Sequence, residues 1–320
     1  MTTIGFHASH EQVHPRRLLE AVIRAEQAGF DAAMCSDHLA PWSERQGHSA
    51  FAWSWLGAAL QATNLSFGVV NAPGQRYHPA IVAQAIGTLA AMYPGRFWTA
   101  LGSGENANEH VTGDAWPNKD DRNARLEESV SVIRRLLQGE EVTHRGHVTV
   151  DRAQLWTLPE ERPLLIAAAV SPATAGWAAR WGDGLATVAS TNAADVAKAY
   201  RDAGGTGPLI AQLHLSWAPT DAEALAIAHD QWRSNVFPPP ICWDLDTPQA
   251  FDDAAHHVEP ADMHEHVLVS SDPAVHLGRI EELADAGFDR VYLHHVGQDQ
   301  LPFIDTFGEH VLPRLERVAA

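Results

Sequence analysis

Short apolar runs alternate along this chain with longer stretches in which apolar residues recur every three or four positions. The first run, 4–8, precedes a stretch opening at Pro15 where Leu18, Leu19, Val22, Ile23 and Ala25 have helical spacing and stop at Gly29. Further strands are predicted at 32–35, 65–71, 97–101, 164–170, 184–188, 209–217 and 290–296. Helices are predicted at 51–62, 79–92, 123–137, 172–181, 193–203, 221–236, 273–286 and 301–317, the one at Pro79 opened by its proline. The run 164–170 is apolar without alternation, which suits a strand buried on both faces. A hairpin is expected over 141–150 with Arg145-Gly146 at its turn, and an irregular insertion over 237–261, where three prolines follow Phe237.

Eight strands separated by helices imply parallel pairing through right-handed crossovers. Eight such units favour a closed α/β barrel, a (β/α)8 TIM barrel forming one domain over 1–320. The insertion 237–261 is expected to form a wall or lid over a substrate.

In such barrels the chemistry sits at the carboxyl ends of the strands. Two segments there carry it. Ser36-Asp37-His38-Leu39-Ala40-Pro41-Trp42 offers a titratable imidazole beside an indole. Gly102-Ser103-Gly104-Glu105-Asn106-Ala107-Asn108-Glu109 offers a carboxylate and an amide on a loop whose glycines allow close backbone approach. Together they point to a redox site. Trp53 and Trp55 read as core or wall, and Glu11 can also be read as a carboxylate at a helix start.

Composition narrows the partners. The 40 Asp and Glu against 22 Lys and Arg give a net charge of −18, which argues against nucleic acid and against an anionic membrane surface. Most of the 19 His read as solvated surface. Two cysteines, Cys35 and Cys242, are too few for a disulfide framework, and Cys35 reads as a small buried hydrophobe. The group His256, His257, His264 and His266 reads as a polar lid rather than a metal site, so no metal is expected. With no leader-like amino terminus and no apolar run near the roughly 18 residues of a membrane span, a cytoplasmic protein is expected.

These segments, with Ala8-Ser9-His10-Glu11-Gln12, Gly47-His48-Ser49-Ala50-Phe51, Arg76-Tyr77-His78-Pro79-Ala80, Gly182-Asp183-Gly184 and Ser271-Asp272-Pro273, carry a resemblance. The chain resembles the bacterial luciferase-like flavin and deazaflavin oxidoreductases, in the branch of the deazaflavin-dependent glucose-6-phosphate dehydrogenases. The resemblance implies a cofactor ring across the barrel mouth, with His38, Trp42, Glu105 and Glu11 around its reactive face. It implies that the imidazole takes the substrate hydroxyl proton as hydride passes to the ring. It also implies cofactor contacts from His38, Val70, Asn71, Asn108, Ala169, Val170, Ser171 and Thr174, a non-proline cis bond near Val70-Asn71, and a homodimer.

Two departures modify that picture. Where the resemblance places three phosphate-holding cations, this chain has Thr191, Cys242 and His266, so a small unphosphorylated substrate is expected. Where it places a glycine pair around the cofactor phosphate, this chain runs Ala169-Val170-Ser171-Pro172-Ala173-Thr174. That altered cradle favours FMN, whose side chain ends at its phosphate, over coenzyme F420. The expected function is hydride transfer with His38 as proton-transfer group. The alternatives are an FMN monooxygenase served by a partner flavin reductase, a deazaflavin-dependent dehydrogenase and a non-catalytic flavin-binding protein.

Overall fold

The computed structural model describes residues 2–315. Strands β1 (Thr3–Ala8), β2 (Ala32–Ser36), β3 (Ser66–Asn71) and β4 (Phe97–Leu101) come first, each followed by a helix. The hairpin β5 (Val142–Arg145) and β6 (Thr149–Ala153) stands outside the main sheet. Then come β7 (Leu165–Ala168), β8 (Leu185–Val188), β9 (Leu209–Ser216), the two-residue β10 (Leu268–Val269) and β11 (Arg290–His295).

Parallel pairing runs β9-β11-β1-β2-β3-β4-β7-β8, and β8 pairs back onto β9. These eight strands close a (β/α)8 TIM barrel, and β10 adds a short edge beside β9. Closure leaves the barrel no free edge except this stub.

Helix ends follow local chemistry. Gly29, at φ 96°, ends the first helix, Pro15–Ala28, in the left-handed conformation that only glycine adopts without strain. The Asn118 side chain accepts from Asp121 N, so the helix Lys119–Leu137 starts four residues earlier than the apolar pattern alone predicts. The last helix ends at His310, where the pattern suggested 317, and a 3-10 turn follows; residues 316 and 317 lie outside the described residues. The insertion is not wholly irregular, since it contains the helices Ile241–Asp244 and Pro248–Ala254. Thr247 caps the second of these by accepting from Ala250 N.

Large side chains plug the bottom of the barrel. Trp98, Tyr292, Met34, Ile166 and Ile210 pack there. The space for them exists because Gly68 and Gly5 lie opposite; a Cβ on Gly68 would stand 2.0 Å from the Trp98 ring, and one on Gly5 2.2 Å from Tyr292. The free volume is therefore left at the other end, where the strands deliver their carboxyl-terminal residues.

Candidate active site

A cavity of about 360 Å³ opens at that end. His38, Trp42, Val70, Asn71, Glu105, Asn108, Ala169, Val170, Thr174 and Cys242 line it. Glu11 stands directly behind His38. Ser171 is outside the lining: its hydroxyl caps the helix Pro172–Ala178 by accepting from Thr174 N at 3.3 Å. Thr191 and His266 also lie outside the lining, Thr191 in an exposed loop after β8 and His266 at the end of a 3-10 turn.

The His38 loop is tied down along its length. The Asn108 side-chain oxygen accepts from Leu39 N at 2.8 Å, the Ser49 hydroxyl donates to His38 O at 2.7 Å, and Trp42 N donates to Gln46 Oε1 at 2.9 Å. Asn108 thus spends its carbonyl oxygen on the loop. Asp37, next to the imidazole, is buried and accepts from Trp53 Nε1, Asn71 Nδ2 and the Tyr77 hydroxyl. The strand that delivers His38 is fixed by these bonds, so its ring position is set before any ligand arrives.

Around the imidazole sit two carboxylates of different character. Glu11 Oε1 lies 3.3 Å from His38 Nδ1, at ion-pair distance but off hydrogen-bond alignment. It is fully buried and accepts from the hydroxyls of Ser36 at 2.6 Å and Ser9 at 2.8 Å. Burial pushes its carboxyl up, but the adjacent imidazole and the Ser36 hydroxyl outweigh this and hold it below the usual range. An anion behind Nδ1 favours the tautomer with hydrogen there, leaving the Nε2 lone pair for the cavity. Glu105 Oε2 stands on that side, 3.9 Å from Nε2, and accepts from Trp42 Nε1 at 3.3 Å. Burial pushes the Glu105 carboxyl above the usual range, against the pull of His38 and the indole N–H.

Trp42 crosses His38 edge-on, with ring centroids 4.4 Å apart, and meets Trp232 at 5.7 Å. Trp232 packs on His214. Phe237 and Trp243, from the insertion, complete an aromatic wall on this half of the cavity. The rest of the lining includes small and polar residues from β1, β3, β7 and β8 and from the loop after β4. Buried atoms without a partner there, His7 Nδ1, Asn71 Oδ1 and Thr187 Oγ1, belong to residues lining the cavity. A flat heterocycle with carbonyl and N–H groups along its edge fits that donor and acceptor set.

The 70–71 peptide is trans, contrary to the expectation of a cis bond; among the described residues the cis bond is Pro239-Pro240. Val70 and Asn71 remain in regular register with Ala100 and Leu101, which an extended trans backbone sustains. Cys35 is buried in the core, and burial pushes its thiol up, consistent with an inert side chain. No group of side chains among the described residues could hold a metal ion, and no helix among them is long and apolar enough to cross a membrane.

Several lining residues had no signal in the sequence. Lys119, Gln212, His214, Trp232, Asn235 and Trp243 reach the cavity from a helix start, the strand β9, a helix end with the 3-10 turn after it, and the insertion, where no local pattern marks them. Asp37 and Glu109 lay within the two segments already singled out, and adjacency could have found them.

The luciferase-like monooxygenase family matches residues 1–290. The chain is 34% identical to an F420-dependent glucose-6-phosphate dehydrogenase of Intrasporangium calvum over 98% of this chain and 99% of that one. It is 36% identical to an F420-dependent hydroxymycolic acid dehydrogenase of Mycobacterium tuberculosis over 98% of this chain and 88% of that one. Among solved structures, an F420-dependent secondary alcohol dehydrogenase in complex with an F420-acetone adduct superimposes with a TM-score of 0.90 and 33% identity, covering 98% of this chain and 99% of that one. With the barrel and these full-length likenesses in hand, the chain belongs to the luciferase-like family of flavin- and deazaflavin-dependent oxidoreductases.

Proposed function

We propose that this protein is a deazaflavin-dependent dehydrogenase that interconverts a small secondary alcohol and its ketone. The observation that carries the reading is the imidazole of His38 between a buried carboxylate, Glu11, and a cavity carboxylate, Glu105, beside an aromatic wall. The glycine-free segment 169–174 favoured FMN. Full-length relatives at 33–36% identity that carry coenzyme F420 in their names weigh more, and support the deazaflavin.

Trp42, Trp232, Phe237 and Trp243 offer an apolar surface to a small substrate, and the insertion 237–261 supplies part of that wall. His7, Asn71 and Thr187 would meet the ring edge, and Thr174 the side chain beyond it. When bound, the deazaflavin supplies a ring carbon that accepts a hydride with its electron pair. His38 Nε2 accepts the hydroxyl proton as the carbinol C–H bond breaks and C=O forms. Glu11 holds the imidazole from behind. Glu105, near the nitrogen that gains the proton, offsets the positive charge that develops there.

Anaerobic addition of isopropanol to the protein with oxidised deazaflavin tests this. Bleaching of the visible band with stoichiometric acetone is expected. Reduction of FMN, or oxygen uptake with FMN, in the absence of deazaflavin bleaching would replace the reading with an FMN enzyme.

A further inference from the structure

Two cationic side chains line the cavity, and their situations differ. Arg76 is committed: its guanidinium stands 3.7 Å from Asp37 and 3.8 Å from Glu109, and donates to Asp37 O. Lys119 makes no ion pair among the described residues, in a chain with almost twice as many acidic as basic groups. Its ammonium donates to the Ser103 hydroxyl at 2.7 Å and lies 4.4 Å from the centre of the Trp243 ring. A hydroxyl and a ring face leave ammonium hydrogens unused, since Lys carries three donors. Cys242 and Trp243, beside it, line the same wall.

We infer that Lys119, with the Ser103 hydroxyl, is an anion-recognising pair that selects a secondary alcohol or ketone bearing a carboxylate. A single ammonium with one hydroxyl matches a monoanion; a phosphate dianion calls for more donors. The choice of a hydroxy or oxo acid deepens the proposed function and rests on its reading of the cavity as the substrate site. The binding of an unreacting acid is nevertheless measurable without any turnover.

The chemistry around Lys119 sets a pH signature. Burial lowers its ammonium to about 8, Arg122 adding to the effect. The neighbouring Cys242 thiol is pushed up to about 12, chiefly by burial, so it stays neutral across the working range. Asp244 accepts from Trp116 Nε1 and pairs distantly with Arg122. Carboxylate binding should therefore hold below about pH 8 and fall as pH rises through it.

The test is calorimetric titration with levulinate and its neutral isostere levulinamide, on the full chain with and without oxidised deazaflavin. Levulinate should bind roughly ten- to a hundredfold more tightly than levulinamide, the range of a charge-assisted hydrogen bond. That ratio should collapse toward one in Lys119→Met and return in part in Lys119→Arg. Equal binding of the two ligands, no binding of either, or a ratio unchanged in Lys119→Met would overturn the inference. So would displacement of levulinate by deazaflavin together with weakened deazaflavin binding in Lys119→Met, because Lys119 would then hold the cofactor's anionic side chain. A protein that shows the levulinate preference yet fails to bleach deazaflavin with any alcohol would keep this inference and lose the proposed function.

Discussion

Glu11 Oε1 lies 3.3 Å from Nδ1 of His38, on the side of the ring turned away from the cavity. The two residues lie just past the ends of β1 and β2, which pair in parallel, so that pairing brings the carboxylate behind the imidazole. With the Ser9 and Ser36 hydroxyls on its oxygens, Glu11 is a fixed anion and a positioning residue.

Glu11→Gln should therefore lower turnover by roughly 10²-fold or more, while cofactor affinity stays close to that of the parent. A purely structural Glu11 would act through folding, and its loss would lower the thermal midpoint without changing the pH–rate profile. Steady-state kinetics across pH, with a melting curve for each variant, separates the two. Partial recovery in Glu11→Asp would support the electrostatic role.

Glu105 acts on the other nitrogen. Its carboxylate, 3.9 Å from Nε2, favours the imidazolium, so Glu105→Gln removes that help. The acid limb of the kcat/KM profile for alcohol oxidation should move to lower pH, with a smaller maximal rate. An unchanged profile and rate would give Glu105 no part in the chemistry.

Acid should unfold this protein readily. Burial lowers His7 and His10 from 6.5 to about 4, and His214 and His295 from 6.5 to about 3. Both states leave these rings neutral above about pH 6.5, so their contribution to stability is intact there. Below it the unfolded chain takes up protons that the folded chain refuses, and stability falls as pH drops from 6.5 toward 4. Denaturant unfolding at pH 7 and pH 5 should show a marked loss at the lower value. His10→Gln should flatten that slope; a profile as steep as the parent's would show that His10 is not one of the rings responsible.

Glucose 6-phosphate should be a poor substrate. Thr191, Cys242 and His266 occupy the three positions that the resemblance assigns to phosphate-holding cations, and Thr191 and His266 do not reach the cavity. Its kcat/KM should fall at least about 10²-fold below that of a small secondary alcohol, given the cost of losing charge-assisted partners. Comparable efficiency on the two would mean that another group holds the phosphate.

The strand order and the pair of chemistry-bearing loops were legible because each rests on local pattern: apolar runs, helical spacing, and polar corners with glycine. His38, Trp42 and Glu105 stood at those corners and meet in space. The aromatic half of the cavity was not legible. Trp232 and Trp243 enter it from a helix end and from the insertion, and only the folded chain brings Trp232 against Trp42 and Trp243 into the same lining. Lys119 was hidden similarly, as one basic residue at a helix start whose lack of a carboxylate partner is a fact of three dimensions. The Val70-Asn71 bond misled because the resemblance carried a backbone detail across a segment where the strand register stays regular.

The most direct measurement is a single-turnover comparison of the parent and His38→Ala, each loaded with oxidised deazaflavin and mixed anaerobically with a secondary alcohol. Both should bind the cofactor alike. The parent should bleach it in one phase that slows when the carbinol hydrogen is replaced by deuterium. His38→Ala should bleach it roughly 10²–10⁴-fold more slowly. Bleaching at the parent's rate in His38→Ala would contradict the assignment of His38 as the proton acceptor.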